Sequence, residues 1–347
     1  MSDVALVMHP ECLAHETGNH PENPARLHAI WDALQAAPLP LTVSWPTPAP
    51  ATIPQVIRVH QPLLVDQVRT LAERGGGLID LDTVVSRRSF DAALIAAGAA
   101  ILAAHEAIDH PGLRTFALVR PPGHHATPGA AMGFCLFNNV AIAVRSAIEE
   151  KGLRRVAVVD VDVHHGNGTQ DAFIDDPRVL FCSLHQSPLY PGTGRADEIG
   201  VGAARGLTAN VPLPPGSGDA AYQKAFARVV EPLVRRFQPE LIVVSAGFDA
   251  HWADPLAEMQ VSTRGFVEMV RSLAGLADEL CEGRLALSLE GGYDRDALSS
   301  SVVAVVTALA GEAPRDILGP APGRTVEDVD SILDRICQLH GIGTVRG

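Results

Sequence analysis

The sequence predicts a single α/β domain in which a mostly parallel sheet lies between two layers of helices. Short apolar runs of the strand type alternate with longer segments whose apolar residues recur at helical spacing. Such alternation is typical of βαβ units, whose crossovers place helices on both faces of the sheet. The chain has 347 residues, of which 47% are hydrophobic, and no repeat or low-complexity linker divides it. We therefore expect one domain over residues 1–347, with a core at about 4–310 and a helical C-terminal extension at 311–347.

The predicted strands are short runs rich in Val, Leu, Ile and Ala. They cover residues 4–8, 115–119, 156–163, 179–184, 241–246 and 285–289. The predicted helices cover residues 24–36, 62–74, 89–107, 138–151, 219–237, 263–281, 294–310 and 325–338. The Pro-rich residues 38–54 are interpreted as a surface loop. Right-handed crossovers place the carboxyl ends of all strands at one edge of the sheet, where ligands of open α/β sheets bind.

One predicted strand, 156–163, ends in charged residues. Asp160, Asp162 and His164 alternate with valines, so they are expected to share one face. A parallel strand buried on both faces should be apolar throughout, and burying these groups is costly unless a metal or partners compensate. One carboxylate oxygen and one imidazole nitrogen are half of a tetrahedral zinc site. The segment therefore predicts a metal enzyme.

Polar residues also follow three other predicted strands. They are Arg120-Pro-Pro-Gly-His124-His125, Gly247-Phe-Asp249-Ala-His251-Trp252-Ala-Asp254 and Glu290-Gly-Gly-Tyr293. Asp249 is the natural third ligand beside Asp162 and His164, although it could instead cap a turn. Three protein ligands leave zinc an open position for water, which marks a catalytic site. Beside such a site one of the adjacent histidines can act as a base, and a tyrosine hydroxyl can stabilise an oxyanion.

Charge and cysteine content limit the partners and the compartment. The 40 acidic and 27 basic residues give a net charge of -13, which argues against direct nucleic-acid binding. The five cysteines form no C-x-x-C pair, which predicts reduced thiols, and Cys135 is expected to be a buried structural residue rather than a redox-sensitive one. The N-terminus lacks a secretory pattern, and the longest apolar run, 92–104, is too short to cross a bilayer. We expect a cytoplasmic protein that does not contact a membrane.

Together these segments resemble the signature set of the zinc-dependent histone deacetylase family, in particular its class II and bacterial histone deacetylase-like amidohydrolase branch. The matching motifs are His124-His125, Asp160-x-Asp162-x-His164-His165-Gly-Asn167-Gly168, Ser245-Ala-Gly-Phe-Asp249 and Gly291-Gly-Tyr293. Similarity extends from His15 to about residue 310, which is nearly the whole chain. The resemblance implies the arginase-deacetylase fold, a single three-layer αβα domain around an eight-stranded, mostly parallel sheet.

The resemblance also implies a role for each residue of the centre. Its metal ligands would be Asp162, His164 and Asp249, which would hold one catalytic zinc. His125 would be the general base, His124 an electrostatic partner and Tyr293 the oxyanion donor, while Asp160 would bond to His124 and hold it cationic. Asn167 stands where some relatives have a carboxylate behind the second histidine. A neutral partner raises the pKa of His125 less than a carboxylate would, which keeps it available as a base near pH 7.

Two further sets of residues are assigned by the resemblance. A structural potassium ion would lie near Asp160, Asp162, His164, Ser183 and Leu184, partly through backbone carbonyls. The substrate tunnel and its rim would include Gly133, Phe134, Tyr190, Leu256 and Asp82. Phe134 could instead be a core residue, and the loop that carries Asp82 varies in the family. Trp252 and His251 are placed near the rim without an assigned role.

The substrate remains open between several alternatives. Arginases share the fold but use two manganese ions, and the second ion requires a carboxylate where this chain has His251, so one metal is favoured. Leu256 follows Asp254-Pro255, where some polyamine deacetylases carry a carboxylate, so acyl-lysine of proteins or peptides is preferred over acetylpolyamines or other small amides. A weakly active acyl-lysine-binding module is a third alternative. A homo-oligomer is compatible with the sequence.

Overall fold

The computed structural model describes residues 3–39, 43–323, 325–326 and 328–343. Its ten strands are β1 (Val4–Val7), β2 (Val43–Ser44), β3 (Gly76–Leu78), β4 (Val84–Ser86), β5 (Arg114–Ala117), β6 (Val156–Asp160), β7 (Val179–Gln186), β8 (Thr208–Leu213), β9 (Leu241–Ala246) and β10 (Leu285–Leu289). Eight of them form one sheet in the order β2-β1-β5-β10-β9-β6-β7-β8, with parallel pairing throughout. β3 and β4 form a separate antiparallel hairpin.

The helices lie on both faces of this sheet. They are α1 (Ala25–Ala36), α2 (Ile53–Val56), α3 (Pro62–Glu73), α4 (Ser89–Asp109), α5 (Asn139–Lys151), α6 (Asn167–Phe173), α7 (Asp219–Ala225), α8 (Glu231–Phe237), α9 (Thr263–Leu280), α10 (Arg295–Leu309) and α11 (Asp330–His340). Along β6, Val156 and Val158 belong to the apolar cluster that contains α5, whereas Ala157 and Val159 belong to the cluster that contains α9 and α10. Both faces of the central strands are therefore buried, and the predicted three-layer α/β class is confirmed.

Most of the predicted elements are present, and the differences have local causes. β2 has two residues and the strands of the β3–β4 hairpin have three each, too short to give a clear periodic pattern. In β8, Asn210 and Pro212 interrupt the apolar pattern. The predicted helix 219–237 is helical along its whole length, with a π-helical turn at Phe226–Val230 between α7 and α8. The predicted helix 325–338 corresponds to α11, which begins later.

The strand that carries the first motif is shorter than predicted. β6 ends at Asp160, and Asp162 and His164 lie in the turn between β6 and α6. The side-chain alternation of a strand, which was expected over residues 156–163, therefore does not determine the positions of Asp162 and His164. Asp160 is paired in register with Ser183 of β7 and Ser245 of β9, so all three lie at the same level near the carboxyl edge of the sheet.

Apolar contacts and ion pairs hold the last described helix, α11. Leu333 and Ile336 of α11 are buried. Arg228, in the π-helical turn, donates to Asp330 at 2.7 Å and also bonds to Asp334. α11 thereby packs beside β8, the edge strand of the sheet.

One helix within the described residues, α4, is long and apolar enough to cross a membrane by length and composition alone. In this fold 67% of its most apolar window is buried inside the protein. Core helices of soluble proteins pass the same test, so α4 gives little evidence for a membrane span.

Candidate metal centre and catalytic site

Asp162, His164 and Asp249 meet at the carboxyl edge of the sheet and are all buried. Each offers one ligand atom, and the three atoms lie within 4.8 Å of one another. Nδ1 of His164 is 3.1 Å from Oδ1 of Asp162 and 3.2 Å from Oδ2 of Asp249. Two carboxylate oxygens and one imidazole nitrogen suit zinc, and three ligands leave it a position open. The residues present therefore fit a catalytic metal.

Backbone groups hold the two carboxylates in place. The N–H of Val163 donates to Oδ1 of Asp249 at 2.8 Å, and the N–H of Gly291 donates to Oδ2 of Asp162 at 2.8 Å. A Cβ on Gly247 would collide with Asp162, and one on Gly291 would collide with both carboxylates. Glycine is needed at both positions because the neighbouring backbone approaches the ligand oxygens so closely.

Neighbouring charges determine the protonation of the ligands. Burial would raise the pKa of Asp162, but His124 and His164 outweigh it and hold that pKa well below its usual range. Burial also raises the pKa of Asp249, with the negative charge of Asp162 adding to the effect. For His164, burial would lower the pKa, but its bonds to Asp162 and Asp249 raise it to about 10. The pocket thus concentrates negative charge that only a cation or a bound proton can compensate.

The adjacent histidines lie beside this centre with different partners. Nδ1 of His124 is 3.0 Å from Oδ2 of Asp160, and its Nε2 is 3.6 Å from Oδ1 of Asp162. Nδ1 of His125 is 2.7 Å from Oδ1 of Asn167. Burial would lower the pKa of His124, but the two aspartates outweigh it and raise that pKa well above its ordinary value.

His125 is affected in the opposite direction. Burial and the positive charges of His124 and His164 lower its pKa well below the ordinary value. The two rings lie only 4.0 Å apart between centroids, so they lie in the same buried surroundings. Their pKa values differ mainly because His124 lies beside the carboxylates of Asp160 and Asp162, whereas His125 bonds to an amide. The arrangement gives one histidine that keeps its proton and one that stays neutral.

Tyr293 is held by bonds to its backbone and by an arginine beneath its ring. Its N–H donates to Oδ2 of Asp254 at 2.7 Å. Arg26 donates from Nε to the carbonyl of Gly292 at 2.6 Å and from Nη2 to the carbonyl of Glu290 at 2.6 Å. The Arg26 guanidinium carbon is 5.0 Å from the centroid of the Tyr293 ring. Burial raises the pKa of the Tyr293 hydroxyl well above its usual value, so the hydroxyl remains a hydrogen-bond donor.

Arg26 belongs to a buried ion cluster that also includes Glu22 and Arg120. Nη1 of Arg26 donates to Oε1 of Glu22 at 3.1 Å, and Nη2 of Arg120 donates to Oε2 of the same carboxylate at 2.7 Å. Burial would raise the pKa of Glu22, but Arg120 and, more weakly, His15 and Arg26 lower it to about 2. This cluster connects the N-terminal segment to the strand ends below the centre.

Two aromatic rings lie beside the candidate catalytic residues. The ring of Tyr190 is 5.1 Å from that of His125, and the ring of Phe134 is 5.9 Å from that of Tyr293. A Cβ on Gly133 would lie 2.5 Å from Cδ2 of His125, so a larger residue would press on that imidazole. The predicted tunnel residues Gly133, Phe134 and Tyr190 are therefore brought to the same place.

The two predicted rim residues lie on loops beside these rings. Asp82 is half-buried in the loop of the β3–β4 hairpin, next to Thr83, whose hydroxyl accepts the N–H of Phe134 at 3.2 Å. The N–H of Leu256 donates to Oδ1 of Asp254, the carboxylate that also holds Tyr293. Asp82 is thus adjacent to the residue that bonds to Phe134, and Leu256 shares the Asp254 carboxylate with Tyr293.

The residues assigned to potassium are placed near one another, but an ion there stays a prediction. Asp160 and Ser183 are register partners, and Leu184 is buried in the next position of β7. The Oγ of Ser183 is 3.0 Å from Nδ1 of His185. The hydroxyl therefore already has a protein partner.

Trp252 and His251, which have no assigned role, bond to residues outside the metal triad. Nε1 of Trp252 donates to the carbonyl of Gly319 at 3.2 Å, so this side chain contacts the C-terminal extension. His251 is buried, with Nδ1 accepting from the N–H of Ala253 and Nε2 lying 3.4 Å from the Thr263 hydroxyl. Cys135 is buried as expected, and its thiol donates to the carbonyl of Gly133 at 3.3 Å.

Several residues that support the site have no role assigned from the sequence. They are Glu22, Arg26, Arg120, Asp254 and Glu290. A charged residue that is predicted to be buried is a signal for such a role, since it requires a partner. The sequence contains no information on which partner each one meets.

Comparisons with known proteins agree with this geometry. Residues 20–309 match the model of the histone deacetylase domain family. A probable deacetylase of Archaeoglobus fulgidus is 41% identical over 88% of this chain and 86% of its own length. The histone deacetylase-like amidohydrolase of Pseudomonas aeruginosa is 38% identical over 86% of this chain and 80% of its own length.

A solved structure and a plant protein are also similar to this chain. The crystal structure of the HDA15 HD domain superposes with a TM-score of 0.87 at 36% identity and covers 98% of this chain and 94% of that one. Histone deacetylase 14, chloroplastic, of Arabidopsis thaliana is 42% identical over 86% of this chain and 75% of its own length. The chain therefore belongs to the histone deacetylase family, as its motifs predicted, and is a hydrolase that acts on amides.

Proposed function

We propose that the protein is a zinc-dependent deacetylase that removes acyl groups from the side-chain amine of acyl-lysine. The observation that carries this proposal is the buried group of three ligand atoms within 4.8 Å, placed beside two histidines, one bonded to a carboxylate and the other to an amide. Asp162, His164 and Asp249 would hold the zinc, which supplies an acidified water and polarises the amide carbonyl when bound.

His125 would act as the general base. Its Nδ1 donates to the Asn167 oxygen, so Nε2 keeps its lone pair for the proton of the attacking water. Its lowered pKa keeps the ring neutral near pH 7. His124, held cationic by Asp160 and Asp162, would supply positive charge beside the reacting carbonyl.

Tyr293 would stabilise the negative charge that develops on the carbonyl oxygen. Its hydroxyl keeps its proton, and a neutral donor that is already in position requires no reorganisation during the reaction. Arg26 and Asp254 would fix the direction of this hydroxyl through the backbone on either side of the residue. The proton taken up by His125 would then be transferred to the leaving amine.

The residues at the rim favour a substrate in which the acyl-lysine side chain belongs to a peptide. Phe134 and Tyr190 can enclose a narrow methylene chain, and Leu256 places no charge at the mouth. On the hairpin that borders Phe134, Leu78 is 60% exposed and Leu81 is 98% exposed. Exposed leucines beside an active site favour contact with an extended apolar partner such as a peptide.

One observation favours a second candidate, the deacetylation of small acetylated amines such as polyamines. Asp80 and Asp82 lie together on the hairpin loop, close enough to Tyr190 to add to the effect of burial in raising its pKa. Two carboxylates at the mouth could pair with a distant ammonium of the substrate. A third alternative, a weakly active acyl-lysine-binding module, would retain the tunnel without turnover.

The same proposal includes a structural potassium ion near Asp160 and Ser183 and a location in the cytoplasm. All five cysteines are free and buried, which supports a reducing compartment. The proposal includes no direct contact with nucleic acid or a membrane, and assembly into a homo-oligomer is compatible with it.

The test is a turnover assay of the zinc-loaded protein on acetyl-lysine peptides, N-acetylated polyamines and longer acyl-lysines. We expect the peptides to give the highest kcat/KM. His125→Ala and Tyr293→Phe should each reduce kcat by about 10²–10⁴-fold while zinc stays bound. His110→Ala, at an exposed histidine, is the matched control. Unchanged rates in the first two variants would disprove the assigned mechanism, and a preference for polyamines would favour the second candidate.

A further inference from the structure

Glu290 is fully buried between two loops, the one that carries His124 and His125 and the one that carries Tyr293. It follows the last residue of β10, and its own N–H donates to the carbonyl of Ala246 at 3.0 Å. Its carbonyl accepts a bond from Arg26, the residue that lies beneath the Tyr293 ring. The backbone of Glu290 is therefore fixed on both sides.

The side chain of Glu290 binds the backbone of the histidine loop. Oε2 accepts the N–H of Gly123 at 2.6 Å and the N–H of His124 at 3.2 Å. These are the two residues that immediately precede His125. Oε1 is buried and has no hydrogen-bond partner within the described part of the chain. Only one oxygen of the carboxyl therefore holds the loop.

The loop has little freedom to satisfy these two N–H groups elsewhere. A Cβ on Gly123 would lie 2.5 Å from the backbone nitrogen of Asn139, so the loop is packed tightly against the start of α5. Buried N–H groups without an acceptor are costly, and a loop that loses its acceptor moves to recover one. Any such movement changes the position of both imidazoles.

We propose that Glu290 is a positioning residue for the catalytic histidine pair. By fixing the backbone at Gly123 and His124, it keeps His124 on Asp160 and His125 on Asn167. This inference rests on the proposed function, because it assigns those imidazoles a catalytic task. Through its carbonyl and Arg26 the same residue is connected to Tyr293, so the base and the oxyanion donor share one support.

Two substitutions separate this role from a merely structural one. Glu290→Gln retains an amide oxygen that can accept both N–H bonds, but it places an amide NH₂ where Oε1 has no partner. This variant should lose stability without displacement of the loop. Glu290→Ala removes the acceptor, so it should lose stability and also release the loop. Ser288→Ala, two residues earlier, removes a buried hydroxyl that also has no partner in the described residues and is the matched control.

The experiment measures kcat, KM, zinc content and Tm of the wild-type protein and these three variants. Glu290→Ala should reduce kcat by about 100-fold with KM within about twofold and zinc still bound, as expected for a misplaced catalytic group. Glu290→Gln should have a lower Tm but a kcat within about threefold of the wild type, and Ser288→Ala should change neither. An unchanged kcat in Glu290→Ala would overturn the proposal. Equal losses of kcat in Glu290→Ala and Glu290→Gln, in parallel with their Tm, would also overturn it.

A structural measurement tests the proposal independently of turnover. In a crystal structure of Glu290→Ala, the 2.7 Å contact between His125 Nδ1 and Asn167 Oδ1 should be lost, whereas Glu290→Gln should retain it. Unmoved imidazoles in Glu290→Ala would overturn the positioning role. A wild-type protein that turns over none of the substrates would contradict the proposed function instead, and the crystal comparison would still decide the role of Glu290.

Discussion

Nδ1 of His125 donates to the side-chain oxygen of Asn167 at 2.7 Å. The amide of Asn167 is itself oriented, because its Nδ2 lies 3.4 Å from the carbonyl of His125 and 3.5 Å from the sulfur of Met132. The partner behind the proposed base is therefore neutral, while the partner of His124 is a carboxylate. This difference between two adjacent histidines is a direct means of testing their roles.

We predict that Asn167→Asp raises the pKa of His125, since a carboxylate stabilises the imidazolium and the amide does not. The base must be deprotonated to act, so the acidic limb of the pH profile of kcat/KM should move to higher pH, by about one unit or more. The measurement is kcat/KM on an acetyl-lysine peptide across pH 5–9. Asn19→Asp, at an exposed position, should leave the profile unchanged. A limb that stays in place would show that His125 is not the titrating base.

The metal site predicts a dependence of stability on zinc. If Asp162, His164 and Asp249 hold zinc as proposed, the metal should raise the unfolding free energy by about 2.7 kcal/mol at a free concentration 100 times its Kd. Asp249→Asn should abolish this increase and the activity together. Tm and metal content with and without a chelator provide the measurement, with Asp32→Asn as an exposed control. A variant that still gained stability from zinc would place the metal elsewhere.

The buried ion cluster predicts a large and pH-dependent effect on stability. Glu22→Gln leaves Arg26 and Arg120 buried without their carboxylate and should cost about 3–5 kcal/mol of unfolding free energy at pH 7. The pKa of Glu22 is lowered from 4.5 to about 2 by Arg120 against burial, so its contribution is complete above about pH 5 and is lost as the pH falls through 2. The difference between the wild type and the variant should therefore shrink over that interval.

Urea unfolding at pH 7 and at pH 3 measures this difference. Glu150→Gln removes a partly exposed partner of Arg58 and should change the unfolding free energy by no more than about 1 kcal/mol. Equal effects of the two substitutions at pH 7 would contradict the importance of the cluster.

The sequence predicts the helices, the strands and the candidate site residues well where each depends on a local pattern of residues. The long helices have clear periodicity, and the strands β1, β5, β6, β7, β9 and β10 lie in clear apolar runs. The order of the motifs identifies Asp162, His164, Asp249, His125 and Tyr293 as candidates. Supporting contacts could not be predicted, because the bonds of Glu290 to Gly123 and of Arg26 to Gly292 join residues more than 160 positions apart. Those pairs are determined by how strands β5 and β10 meet beside α1, and single-sequence patterning contains no such information.

The exposed hairpin predicts a difference between peptide and small substrates. Leu81 is almost fully exposed on the hairpin that borders Phe134, so Leu81→Ser should raise KM for an acetyl-lysine peptide by about threefold to tenfold through lost apolar contact. A small acetylated amine does not extend to this position, and its KM should not change. Val201→Ser, at an exposed residue of a separate loop, is the control. Equal effects on both substrates would indicate that Leu81 shapes the tunnel rather than contacts a peptide.

The uncharged side chain of Leu256 predicts that a carboxylate at this one position changes substrate preference. Leu256 is half-buried next to Asp254, which holds the Tyr293 backbone, so Leu256→Glu would place a negative charge near the entrance without touching the metal ligands. A distant ammonium of an N-acetylated polyamine would then gain a partner, and kcat/KM for that substrate should rise by about fivefold or more. A neutral acetyl-lysine peptide gains nothing and should lose activity through the desolvation of the new charge. Leu256→Gln introduces a side chain of the same shape as Glu but without its charge, so comparing the two variants separates the effect of charge from that of packing. If Gln and Glu shift the ratio of the two substrates equally, charge at this position does not determine specificity.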